Sequence, residues 1–193
     1  MILKSFPTEY QMDAKDCGPA SLKMVAKYFG RYFSLQYLRD KCGITKEGVS
    51  LLGISAAAES IGLHTAAFKC TIEDVVTKIP FPVIVFWNEN HFIVVYHANK
   101  NHVWVSDPVK GHVKYTKHEF MAGWYLKNED KGVLLALEPT SDFKQSKQEK
   151  EQEKNSFLSM LRYFMPYKKQ FLLIFFVMMV VTLLQGILPF ISK

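Results

Sequence analysis

The 23 residues from Gln170 to Ser192 carry no charge, and no other stretch of this 193-residue chain restricts its fold so tightly. At ~1.5 Å per residue a helix of that length reaches roughly 34 Å, enough for a ~30 Å hydrocarbon core. A helix on a globular domain is rarely apolar all round for so long, because its outer face meets water. The run is therefore expected to be a membrane helix. Lys168 and Lys169 stand directly before it, and positive flanks stay on the cytoplasmic side, so residues 1–169 are expected in the cytoplasm. A single span followed only by Lys193 reads as the first membrane helix of a longer, multi-pass protein, of which this chain is a fragment or truncated product.

Charge supports the division. Residues 1–139 hold 16 Lys/Arg against 14 Asp/Glu, whereas residues 140–193 hold 8 against 4. The basic excess thus sits beside the apolar run, which points to anionic membrane lipid as a partner and away from nucleic acid. The cysteines Cys17, Cys42 and Cys70 form no CxxC pair, so neither a disulfide framework nor a metal site is expected, and a reducing compartment fits best. Residues Met1 to Ser5 lack the apolar stretch of a secretory signal.

Within residues 1–139 the pattern is α+β, with helices first and strands second. Asp16 as N-cap, Pro19 in the first turn, and Leu22, Val25, Ala26 and Phe29 at helical spacing predict a helix ending at Gly30. Further helices are expected over Ser34 to Lys41, Ser50 to Gly62 and Thr71 to Ile79, the last with Thr71 and Asp74 spaced for a capping box. Strands are expected at 83–87 and 92–96, apolar on both faces, and at 103–105, 113–115 and 132–137. Residues 140–156 read as a charged linker. Residues 157–169 read as an amphipathic helix at the membrane interface, Phe157, Leu158, Leu161, Phe164 and Met165 forming its stripe. Residues 170–192 read as the membrane span.

Chemistry gathers at a few positions. Cys17 begins the first predicted helix, where unpaired N–H groups favour an anion and lower a thiol's pKa from ~8.5 toward ~3.5–7.5. A buried, inert cysteine is the alternative, and Cys42 and Cys70 fit it. Among six histidines, His91 stands out because it opens an apolar strand after the Trp87–Asn90 break. If Ala98-Asn99-Lys100 closes the hairpin, His91 falls opposite Asp107; a four-residue loop makes the two diagonal. Either register leaves the aspartate able to orient the imidazole. His64, His97, His102, His112 and His118 read as surface or satisfied residues. On the residues alone, Gln11 is a surface residue and Asp13 and Asp16 are structural.

The order Cys, His, Asp, with the cysteine on an early helix and the others on a later sheet, is the papain-like arrangement. Gln11-Met12-Asp13-Ala14-Lys15-Asp16-Cys17-Gly18-Pro19-Ala20 resembles the cysteine box of the bacteriocin-processing, double-glycine-leader peptidases, the N-terminal domains of peptidase-containing ABC transporters. Asn90-His91-Phe92-Ile93-Val94-Val95 resembles their histidine box and Ser106-Asp107-Pro108 their aspartate box. Ser21 departs from a second cysteine common there.

The resemblance implies a papain-like cysteine peptidase with Cys17, His91 and Asp107 catalytic and Gln11 in the oxyanion hole. It implies leader peptides ending in Gly-Gly or Gly-Ala as partners, held by an apolar groove for which Tyr28, Phe33, Tyr37, Leu38 and Leu52 are candidates. It also implies a homodimeric transporter in the cytoplasmic membrane whose nucleotide-binding domain uses ATP and Mg. No GxxxxGK[ST] loop occurs in these 193 residues, so no cofactor is expected in this chain. Related secretion transporters carry a degenerate domain that binds cargo without cutting it. That is the alternative reading, as is a membrane-anchored papain-like amidase or transglutaminase.

Overall fold

Helix α1 (Cys17–Tyr28) forms where the sequence places it, and its inner stripe, Leu22, Val25 and Ala26, is fully buried. Gly18 lets the helix start pass close to its neighbours: a methyl group there would collide with Val49 and Ile54. Helix α2 (Leu35–Cys42) is capped by the Ser34 hydroxyl and ends at Gly43 in the left-handed region. Helix α3 (Leu51–Ser60) is capped by Ser50. The structure is a computed structural model that describes residues 6–45, 48–145 and 168–191, and the chain divides into two units, Met1–Glu151 and Gln152–Lys193.

In the first unit, strand β1 (Leu63–Cys70) leads to helix α4 (Ile72–Lys78), which has the expected Thr71–Asp74 capping box. Strands β2 (Val83–Trp87), β3 (His91–Ala98), β4 (His102–Asp107) and β5 (Gly111–Thr116) follow, then helix α5 (Lys117–Trp124) and strand β6 (Gly132–Pro139). The six strands form one sheet in the order β1-β6-β2-β3-β4-β5, with every neighbouring pair antiparallel. This is the expected α+β arrangement. Two elements were not legible in the sequence. Strand β1 is an edge strand buried only at its ends, so it shows no alternation of apolar residues. Helix α5 announces itself only through the Thr116–Glu119 capping box.

The central strands separate two cores. Ile84, Val94 and Leu135 face α1, α2 and α3, while Val83, Val85, Ile93 and Val105 face α4 and α5 through Ile72, Val75, Phe120 and Trp124. Helices therefore cover both faces, which explains why β2 and β3 are apolar on both. Each fully buried Val, Leu or Ile here contributes about 1.5–3 kcal/mol.

The linker expected over 140–156 begins later than Pro139. Residues Ser141–Gln145 form a short helix, α6, and Phe143 is 1% exposed within the core. Its ring lies edge-on to Phe29 with the Arg31 guanidinium over it, and the Thr140 hydroxyl donates to Gly62 O at 2.6 Å. One apolar residue in a polar run does not alter composition, which is why the boundary was misplaced. The charged run from 146 and the amphipathic stretch over 157–167 lie outside the described residues.

In the second unit the uncharged run forms helix α7 (Lys168–Ile191), 24 residues long. Its exposed side chains include Leu172, Phe175 and Phe176. Among the described residues no helix is long and apolar enough to cross a membrane; the side chains of 184–191 lie outside them.

Candidate active site

Cys17 is the first residue of α1 and is 5% exposed. The helix opens with the Ala20 N–H donating to Asp16 O at 2.9 Å. The expected side-chain cap by Asp16 is absent. Its carboxylate turns inward instead: Oδ2 accepts from the Asp13 N–H at 3.1 Å, and Oδ1 lies 3.2 Å from Arg39 Nε. That pair is in ionic contact without hydrogen-bond alignment. Cys17 thus lies at the helix start, where the leading N–H groups have no partner within the helix.

His91 opens β3 after a tight turn whose central residues, Asn88 (φ 49) and Glu89 (φ 56), are both left-handed. Such a conformation costs a non-glycine residue about 1–3 kcal/mol and persists only where surroundings hold it. Here the Asn88 N–H donates to Gly123 O at 2.8 Å and the Lys127 N–H to Glu89 Oε1 at 3.2 Å. The turn is thereby fixed to α5 and the loop after it, and His91 with it.

Asp107 closes β4 and is 2% exposed. Its Oδ1 accepts from His91 Nε2 at 2.9 Å and from the Val109 N–H at 2.8 Å. Neither expected hairpin register occurs. Val94 pairs with Ser106 and Val95 with Val105, and a bulge at Tyr96 shifts the pairing to His97 with Trp104. Continued to the strand ends, this register sets Asp107 two residues from the position opposite His91, on the same face. Diagonal neighbours at that spacing remain within reach of long side chains.

Burial would lower the His91 pKa, but hydrogen bonds to Asp107 and to the Cys17 side chain, with the charges of both, raise it to about 9. Since Nε2 is taken by Asp107, Nδ1 is the nitrogen left for Cys17. Burial would raise the Asp107 pKa; the His91 bond, its charge and the Val109 and Lys110 N–H groups hold it below the usual carboxylate range. Burial pushes the Cys42 thiol up to about 12, and burial with the Asp74 charge pushes Cys70 up to about 11. Neither resembles a reactive thiol.

Gln11 lies on the segment leading into α1, and its N–H donates to Pro108 O at 3.0 Å, beside Asp107. Its Oε1 is buried without a partner among the described residues. The segment is pinned along its length. Phe6 stacks on Tyr96 at 4.9 Å, Thr8 Oγ1 meets His112 Nε2 at 2.7 Å, and Glu9 bridges Lys23 and Lys27. These anchors were not read from the sequence, because each joins residues far apart in the chain. Ser21 donates to Phe92 O at 3.1 Å, a role its hydroxyl fills without a second thiol. Of the groove candidates, Tyr28 and Leu52 are exposed, Phe33 and Tyr37 are partly buried and stacked on each other, and Leu38 is wholly in the core.

Two cavities flank the Cys17–His91 contact. One, about 240 Å³, is lined by Cys17, Val49, Phe86, Glu89, Asn90 and Phe92 among others. The other, about 310 Å³, is lined by Trp87, Asn90, His91, Asp107, Val109 and Lys110 among others. Asn90 borders both. Among the described residues no group of three or more His, Cys, Asp or Glu is arranged to hold a metal ion. A thiol, an imidazole and a carboxylate in series can supply a nucleophile and a proton carrier to a chain lying across both cavities.

Residues 5–141 match the Peptidase C39 family. The sequence is 35% identical over 142 residues to the lactococcin-G-processing and transport ATP-binding protein LagD of Lactococcus lactis subsp. lactis, covering 71% of this chain and 19% of that protein. It is 34% identical over 183 residues to the lactococcin transport/processing ATP-binding protein LcnC-like of Lactococcus lactis subsp. lactis (strain IL1403), covering 91% of this chain and 24% of that protein. The chain therefore spans 19% to 24% of the length of these relatives. The crystal structure of a double glycine motif protease from an AMS/PCAT transporter in complex with the leader peptide has a TM-score of 0.64 and 33% identity, covering 69% of this chain and 91% of that one.

Proposed function

Because the chain belongs to the peptidase C39 family, we propose that it is a cysteine endopeptidase that removes double-glycine leader peptides before export. The observation that supports this most is the 2.9 Å bond from His91 Nε2 to Asp107, which leaves the other ring nitrogen for Cys17. Cys17 Sγ attacks the scissile carbonyl carbon as a thiolate, and the carbonyl π electrons move to oxygen. The Gln11 side-chain amide and the Cys17 N–H stabilise that oxyanion. His91 gives its proton to the leaving amine nitrogen as the C–N bond breaks, leaving a thioester on Cys17. Water then attacks the thioester carbon as His91 takes its proton; the C–S bond breaks, its electron pair returns to the Cys17 sulfur, and the leader carboxylate departs. Asp107 orients the ring and stabilises its charged form.

Substrate choice follows from steric room. Two residues without Cβ need the least room beside Val49, Phe86 and Phe92, which line the Cys17 cavity. Leader peptides ending in Gly-Gly or Gly-Ala fit, and an apolar leader helix adds affinity by groove binding.

The tail extends the reading. The uncharged run 170–192, directly preceded by Lys168 and Lys169, is the first membrane span of a homodimeric transporter embedded in lipid, with residues 1–169 on the cytoplasmic side. The alignment with the LcnC-like protein covers 91% of this chain and so extends beyond the peptidase domain. ATP and Mg belong to a nucleotide-binding domain outside these residues. The non-catalytic cargo-binding reading loses ground because Cys17, His91 and Asp107 are all retained, with His91 bonded to both of the others. Incubation with a double-glycine leader peptide tests the proposal: mass spectrometry should find a cut after the second glycine with wild type and none with Cys17→Ala. An uncut peptide that nevertheless binds would favour the cargo-binding reading.

A further inference from the structure

Asp16 immediately precedes Cys17, and its side chain is 0% exposed. A buried carboxylate is costly unless paired, and this one is fixed by the Asp13 N–H on one oxygen. Its neighbour must work as an anion. A like charge beside a thiol disfavours the thiolate and moves its titration upward. The counter-charge comes from another element: Arg39 of α2, with Nε 3.2 Å from Asp16 Oδ1.

The other charged groups of the same turn and of the Cys17 cavity, Lys15 and Glu89 on the cavity wall among them, lie at the surface, where water screens them. Asp13 and Lys15, on the same turn, are exposed, and Asp13 Oδ1 accepts from the Lys15 N–H. Glu89, across the cavity on the turn between β2 and β3, is exposed and accepts from the Lys127 N–H. His91 of β3 faces the sulfur, with Asp107 of β4 behind it. Among the described residues, Asp16 is thus the fully buried carboxylate on the turn that leads into Cys17's own helix.

We propose that Arg39 is a positioning residue of this site: reaching from α2, it neutralises Asp16 and so fixes the turn before α1 without leaving a free negative charge beside the Cys17 sulfur. The inference rests on the reading of Cys17 as nucleophile. Asp16 fixes geometry through its oxygens, and Arg39 cancels the electrostatic cost of having it there.

The test is the pH dependence of Cys17 alkylation by iodoacetamide in the full-length chain, read on the Cys17 peptide by mass spectrometry. Arg39→Met should move the midpoint up by about one pH unit or more. Arg39→Lys should stay near wild type, because the charge is kept. Asp16→Asn combined with Arg39→Met should return the midpoint to wild type, because Asn still accepts from the Asp13 N–H and no charge needs cancelling. An unmoved midpoint in Arg39→Met, or a double variant as impaired as the single, overturns the proposal. If Arg39→Met does not fold, the double variant decides: folding with a wild-type midpoint supports it, and unfolding overturns it. A wild-type Cys17 that fails to react below pH 7 would instead sink the nucleophile reading itself.

Discussion

His91 and Asp107 are joined by a 2.9 Å bond although they are not opposite one another in the β3–β4 hairpin. The bulge at Tyr96 leaves Asp107 diagonal to His91, and the N–H groups of Val109 and Lys110 hold its carboxylate in place. The aspartate is thereby positioned by the turn after its own strand as much as by the sheet.

Protonation sets the working range. His91, raised to about 9, holds its proton more tightly in the folded chain than in the unfolded one. Its contribution to stability is complete below about pH 6.5 and is lost as the pH rises through about 9. Asp107 is depressed, so its contribution is present above ~3.9 and is lost as the pH falls through its folded value. A plot of kcat/KM against pH should have its alkaline limb near pH 9, and Asp107→Asn should lower activity and move that limb downward. A limb that stays in place in Asp107→Asn would detach the aspartate from His91.

Gln11 is tested by turnover. Gln11→Ala should lower kcat about 10²–10³-fold with little change in folding, the cost of removing one oxyanion donor. A kcat within a few-fold of wild type would remove Gln11 from the site and leave its main-chain bond to Pro108 as its role.

Phe143 marks the true edge of the domain. Phe143→Ala should destabilise the first unit by about 3–5 kcal/mol, as large-to-small changes of a buried aromatic do. A chain ending at Pro139 should melt several degrees below one ending at Gln145, and both should be soluble. Equal melting temperatures would return residues 140–145 to the linker.

Much of this was legible where local chemistry decides. The Thr71–Asp74 capping box, the helix starts near Ser34 and Ser50 and the doubly apolar β2 and β3 each follow from residues within a few positions of one another. The pairing of His91 with Asp107 was also reached, through a register the structure does not adopt, because parity and reach tolerate a slip of two. What lay hidden depends on partners distant in sequence. The Asp16 carboxylate looked like a cap until Arg39 of α2 was seen beside it. Phe143 looked like linker until the α1–α3 core was seen to need it. Strand β1 exists because β6 pairs with it over its whole length, not because its own side chains alternate.

The central claim is that Cys17, activated by His91, forms a covalent bond to the leader at the cut. Rapid acid quenching during turnover of a double-glycine leader peptide, followed by mass spectrometry, measures this directly. The account predicts a Cys17 peptide heavier by the leader fragment minus water, accumulating within the first turnover and absent from Cys17→Ala, which should cut nothing. Cleavage that proceeds at the wild-type rate in Cys17→Ala, with no adduct on the wild-type chain, would contradict it.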